Sequence, residues 1–476
     1  MRSRRSWLTM LVISAVAAMS ACGSSMTSSS SNNLSHGTMV LMGTDFPTLS
    51  NVVSFQAPIS GITVSGNGTG NVAVMNAPAT IDFATLVGLQ TLIDVQPVTA
   101  GNYTSATITF GANPTLSILD TTVSPPKITT LNAHFSAMSV TVNFPNEETE
   151  DVTPSKVLGM ILDFRLDKSI PVDASGNIVV SGGTVTVTPV IRIRLLNADR
   201  DRFEVDELRG GVVSVGGSGT FVIQTSRGQQ ITVSTDSNTQ FEPSGQSFST
   251  LSANDIVEIE EGDLDPSTLM VKAKEVEVFP DKFVVSGLVT FANPAAKSGS
   301  TICSETVSLL VRDALPGGIS SSFPANQIAS ISLTGSEKFF IHHQDFLSAF
   351  NQLSFNSCSL VPGQALTIGG ALSGGSTLTA ADVGLGTEGF AGTAATGLAG
   401  NATFAFNAQG LAGVLLPGPV TVQVLQLTDF DTELENLTDF TNITAGTQLH
   451  LSGLVLFNTS ANTANVLALR LVQPED

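Results

Sequence analysis

The chain has 476 residues, with 40 acidic side chains against 20 basic ones and a formal charge of −20. Only 13% of residues are charged and 42% are hydrophobic, which supports a packed core and excludes a disordered polyelectrolyte. The acidity argues against nucleic acid and against an anionic membrane face, since both would repel it, and is compatible with divalent cations and basic partners.

At the N-terminus, Arg2, Arg4 and Arg5 precede an uncharged apolar run from Trp7 to Ala21. Small residues then lead into Cys22. That layout is an export signal, and the run is shorter than the roughly 20 apolar residues of a membrane span. Met19-Ser20-Ala21-Cys22 resembles the bacterial lipobox, with Met19 where Leu is usual. The resemblance implies lipidation of Cys22, cleavage before it, and stable anchoring by several acyl chains. The alternative is an ordinary signal peptide with an incidental cysteine. Gly23, not Asp, follows Cys22, which in a cell with two membranes resembles the signal for the outer one. The segments are then a signal peptide at 1–21 and a flexible Ser-rich tether at 22–36. Loss of the three arginines leaves 17 basic residues and a mature charge of about −23.

Beyond the tether, short alternating runs recur, among them Thr107-Ile108-Thr109-Phe110, Val140-Thr141-Val142 and Ile231-Thr232-Val233. Thr, Val, Ile and Phe at period two fit strands with one buried face, and Gly, Asn and Ser punctuate them. Helical turns are predicted only near Asp82 to Ile93 and Gln344 to Leu353. The fold class is all-β: an N-terminal β-sandwich followed by three tandem small β-barrels, strung as an elongated stalk.

The sandwich is placed at 37–197. It contains Thr44-Asp45-Phe46-Pro47, Ala100-Gly101-Asn102-Tyr103, Asp163-Phe164-Arg165-Leu166-Asp167-Lys168-Ser169 and Pro189-Val190-Ile191. These resemble an uncharacterised family of N-terminal lipoprotein domains, with a Thr-Asp-x-Pro start, an Ala-Gly-x-Tyr turn and a late Asp-Phe-x-Leu-x-Lys-Ser strand. The resemblance implies a prealbumin-like sandwich and no catalytic residues.

Three repeats follow, at 205–280, 281–386 and 387–476. In the first, Ile231-Thr232-Val233 is followed at eight residues by Thr239-Gln240-Phe241; in the third, Val420-Thr421-Val422 is followed at eight by Thr428-Asp429-Phe430. The middle repeat carries an insertion with Cys303 and Cys358. The repeats resemble a second uncharacterised family, of tandem barrel-like domains in secreted bacterial proteins, although Ala253-Asn254-Asp255 stands where that pattern has Gly-Asp. Barrels of this size can take the oligonucleotide-binding (OB) shape, but shape is not function.

In an oxidising envelope the pair Cys303 and Cys358 reads as a disulfide, closing a loop of about 56 residues and contributing on the order of 4 kcal/mol in the chain-entropy model. The only Tyr is Tyr103 and the only Trp is Trp7, within the signal, which counts against a lectin that works by ring stacking.

No catalytic residue is assigned and the chain is not expected to be an enzyme. No Gly-x-Ser-x-Gly nucleophile elbow accompanies the histidines at 36, 134, 342, 343 and 450. His134 and His450 read as strand residues, His450 pointing to solvent between Leu449 and Leu451. His342 and His343 read as a polar strand end rather than a metal pair. No cofactor is expected beyond calcium, whose weak candidates lie in acidic runs read mainly as solvated loops. These are Glu258, Glu260, Glu261, Asp263 and Asp265 in one, Asp429, Asp431, Glu433 and Glu435 in another, and the stretch from Glu147 to Asp151. Asp263, Asp265, Asp429 and Asp431 are the named candidates.

The expected function is a lipid-anchored envelope protein with a binding or structural role, such as surface attachment or envelope assembly. Its expected partners are the membrane, through the N-terminal lipid, and a protein or polysaccharide of unknown identity. An accessory carbohydrate- or peptide-binding module of a surface processing system is the alternative. A calcium-stabilised adhesin or a surface enzyme is third.

Overall fold

The computed structural model describes residues 36–472 except 45–48, 50, 67–69, 87–90, 145–150, 155, 175, 198–202, 226–227, 244, 266–267, 280–282, 293–305, 317–318, 320, 342–354, 374–376, 401, 431–442 and 459–462. The protein is all-β, a sandwich followed by three barrels.

In the sandwich, strand His36–Thr44 runs parallel to Val157–Phe164 and antiparallel to Thr91–Thr99, and Ile191–Asn197 completes a four-stranded sheet. The facing sheet is organised by the long strand Val52–Gly66, which pairs with Gly101–Phe110 and Thr115–Asp120. Period-two patterning produces the core: Ile108 and Phe110 point inward, while the Thr107 hydroxyl meets that of Thr141 outside at 2.9 Å. Phe55, Phe110, Phe135 and Phe164 interlock there, with Phe110 and Phe135 stacked at 4.1 Å between centroids. The strand expected across Leu166 to Ser169 stops at Phe164, and Leu166–Ser169 is one helical turn. The backbone N–H groups of Lys168 and Ser169 both turn back to the Arg165 carbonyl, where the Ser169 hydroxyl also donates at 2.7 Å.

Each barrel has the same plan. In the third, strands Glu388–Ala394, Thr403–Ala408, Val420–Phe430, Thr463–Val472 and Gln448–Asn458 close in that order, with Val420–Phe430 parallel to Thr463–Val472. In sequence order this is 1-2-3-5-4, a five-stranded Greek-key barrel. The first barrel splits the third role between Gln230–Ser234 and Gln240–Glu242, both parallel to Met270–Phe279. The second does the same with Ile328–Ser332 and Lys338–Ile341 against Thr377–Gly386. The eight-residue spacing in the sequence thus marks two halves of one structural strand. At the turn where the repeat pattern has glycine, Asn254 takes φ 76° and donates its N–H to the Val212 carbonyl at 2.8 Å; Asn tolerates this left-handed conformation. Of the predicted helical turns, Phe83–Thr85 is a single 3₁₀ turn, and Gln344 to Leu353 lies outside the described residues.

The elongated stalk is not what forms. Leu288 and Leu310 of the second barrel pack together with Leu411 and Leu415 of the third and with Val53 and Leu119 of the sandwich. On the other side, Val40, Met42, Ile161 and Leu196 of the sandwich join the apolar cluster of the first barrel through Phe203. Apolar side chains on the outer faces of these strands are the physical reason: left in water they would cost about 25 cal/mol per Å², and contact between units removes them from it. At the boundary between the second and third barrels, Thr387 and Glu388 are buried.

Candidate functional site

Strands Ile256–Asp265 and Met270–Phe279 of the first barrel send Val257, Ile259, Val276 and Val278 into its interior. Alternation therefore turns Ile256, Glu258, Glu277 and Phe279 outward, and the register sets Ile256 opposite Phe279 and Glu258 opposite Glu277. The second barrel covers this face. Its strands keep Val285, Leu366 and Ile368 inside and turn Val284, Ser286 and Thr367 outward, with Val284 opposite Leu315 and Ser286 opposite Thr367. Ile256, Phe279, Val284 and Leu315 form one apolar cluster across the seam. Two residues along each strand, the contact becomes polar: the Thr367 hydroxyl donates to Glu258 Oε2 at 2.9 Å. Arg209, opposite Glu258 on strand Glu204–Val215, ion-pairs with the same carboxylate.

A register irregularity between Ile259 and Glu261 brings Glu260 into this group. Glu258, Glu260 and Glu277 each place a carboxylate oxygen within 4.8 Å of the others, and all three residues are buried. Glu242, also buried, extends the row as the neighbour of Glu277 on strand Gln240–Glu242. Carboxylates this close disfavour one another's charge unless a cation or a shared proton intervenes. The Ser286 hydroxyl, on a residue only 2% exposed, has no hydrogen-bond partner among the described residues. An all-oxygen donor set of this kind suits hard divalent cations rather than zinc or copper.

Two further polar junctions tie the units together. Arg312 of the second barrel holds Glu388 of the third. Asp82 of the sandwich accepts from Ser54 Oγ at 2.6 Å, from the Phe55 N–H at 2.8 Å and from Asn326 Nδ2 of the second barrel at 3.0 Å. Burial raises the Asp82 carboxyl above the ordinary aspartate range; those hydrogen bonds and the Arg312 charge oppose the rise without cancelling it.

The structure separates the residues singled out in the sequence. The acidic run from Glu258 to Asp265 is not a solvated loop but a strand whose first half is buried. Asp263 lies 3.5 Å from Lys274 Nζ, and Asp265 ends the strand. Asp429 sits in strand Val420–Phe430, while Asp431 lies outside the described residues, as do Cys22, Cys303, His342 and His343. Cys358 sits in a turn where its N–H donates to Asn356 Oδ1 at 2.8 Å. His134 is a strand residue, 3.3 Å from the Thr186 hydroxyl. His450 does not point to solvent: burial first, then the Arg165 charge, pushes its imidazole down to about 4. Sequence reasoning missed Glu277 and Ser286. The available signal was the outward register of Glu277 with Glu258 in adjacent strands, which becomes visible only once the hairpin pairing is known.

No model of a known protein family matches the chain, and no curated protein is significantly similar to it.

Proposed function

We propose that the chain is a lipid-anchored cell-envelope protein with a non-catalytic binding or structural role, in the outer membrane where the cell has two. Acylation of Cys22 would hold it to the lipid, and the Ser-rich tether would set the folded body off the surface. One observation carries the structural half of this reading. The buried and part-buried polar side chains that bridge units, Glu258 to Thr367, Arg312 to Glu388 and Asp82 to Asn326, join four modules into one body. Joining modules is the work of a scaffold that presents a fixed outer surface to a protein or polysaccharide partner. Barrel interiors filled by side chains such as Phe390, Phe406, Val422 and Val466 fit the same role.

The test is membrane fractionation of cells expressing the wild-type chain or Cys22→Ser, with incorporation of a labelled fatty acid. Release of the variant into the soluble fraction together with loss of label supports the anchor. A variant that stays with the membrane overturns it.

A further inference from the structure

We propose that Glu258, Glu260 and Glu277 ligate a hard divalent cation of the calcium class at the seam between the first and second barrels, with the Ser286 hydroxyl as a further oxygen ligand. Geometry sets the scale. Oxygens on opposite sides of one calcium ion, each at about 2.3–2.6 Å, stand roughly 5 Å apart, and the three carboxylates each offer an oxygen within 4.8 Å of the others. Glu260 and Glu277 can each bind through one or both oxygens, and Glu258, which shares its carboxylate with Arg209 and Thr367, through one, so the three supply part of the six to eight that calcium takes.

Ser286 is the independent indication. Its hydroxyl is buried and finds no partner among the described residues. A buried hydroxyl without a hydrogen bond is costly unless something else occupies its lone pairs. Register and packing fix the face it leaves. It is the cross-strand partner of Thr367, whose hydroxyl reaches Glu258, so both side chains leave the same face of the second barrel. The adjacent apolar contact, Ile256 and Phe279 against Val284 and Leu315, holds the two faces together two residues away. Ser286 therefore leaves the face of the second barrel that covers Glu258, not the face that lines the barrel core.

The two halves of the site come from different modules. A cation there would couple the barrels, and its binding free energy would add to the stability of the seam. The half-buried Asp263 and Asp265 lie further along the same strand, where Lys274 already stands beside Asp263.

The experiment uses the full chain in detergent, stripped with a chelator and then titrated calorimetrically with calcium, magnesium and manganese chlorides. The proposal expects about one ion bound per chain in the range of known calcium sites, with a rise in melting temperature reversed by the chelator. Glu277→Gln is expected to weaken binding by at least about tenfold, since even changes to groups outside the ligand shell cost that much. Ser286→Ala is expected to weaken it less, and Asp263→Asn with Asp265→Asn to leave it unchanged. Absence of both heat and melting shift with all three ions at millimolar concentration overturns the proposal and leaves proton sharing among the carboxylates. So does binding that survives Glu277→Gln but is lost in the aspartate double variant. Should Glu277→Gln fail to fold, the wild-type titration and Ser286→Ala decide by themselves.

Discussion

Arg312 and Glu388, 76 residues apart and on different barrels, face each other fork to fork: Nη1 donates to Oε2 at 2.6 Å and Nη2 to Oε1 at 2.8 Å. Their side chains are only 13% and 9% exposed, so the pair is screened little by solvent. Removing one partner leaves an uncompensated buried charge, which costs about 3–5 kcal/mol. Arg312→Ala is therefore expected to lower the urea midpoint strongly. Arg312→Met combined with Glu388→Leu is expected to cost less than Arg312→Ala alone, because it removes both charges and keeps the volume. A double variant as unstable as the sum of its singles would show that the two residues do not act together.

Docking of the first barrel on the sandwich depends on a residue without a side chain. A Cβ on Gly159 would lie 2.3 Å from Phe203 Cε1 and 2.8 Å from Leu196 Cβ. Phe203 is itself buried, so it has little room to give way. Gly159→Ala is expected to cost about 1–3 kcal/mol through overpacking. Phe203→Leu in the same chain should restore part of that loss. Thermal unfolding of the single and double variants checks this, and an unchanged single variant would mean that the interface repacks freely.

These two contacts mark the limit of what was legible in the sequence. Thr107 to Phe110 alternates as a half-buried strand must, and it is one. The equal spacing in the first and third repeats reflects the paired halves of one strand against the closing strand. Local rules suffice where burial is decided by neighbours in the same module. They fail where another module decides it. Glu258 alternates with Val257 and Ile259, a pattern that normally exposes the charge, yet Thr367 covers it from 109 residues away. His450 alternates with Leu449 and Leu451 in the same way, and it is burial together with the Arg165 charge, from the sandwich, that holds it neutral. Docking of outer faces leaves no periodic signal of its own, so both residues read as solvent-facing.

The cysteine pair gives a covalent prediction. Mass spectrometry of the unreduced protein after proteolysis is expected to show a peptide pair joined through Cys303 and Cys358. Reduction should then lower stability, by on the order of 4 kcal/mol if loop entropy is the whole effect. Two separately alkylated thiols in protein purified without reductant would end the assignment.

His450 sets an acid limit on stability. Its folded value is about 4 against an ordinary 6.5, so the unfolded chain binds a proton at pH values where the folded chain does not. The stability it contributes is fully present above about pH 6.5 and is lost as pH falls toward 4, a total on the order of 3 kcal/mol at 1.36 kcal/mol per unit. Asp82 works in the opposite sense. Its folded carboxyl is raised, so the stability it contributes is present at low pH and is lost as pH rises through its folded value. Comparison of variants separates the two. Urea unfolding at pH 7 and pH 4.5 should show a larger acid loss in the wild type than in His450→Gln, which cannot titrate. Equal losses in both would mean that the imidazole is solvated in the folded protein and that other carboxylates govern acid unfolding.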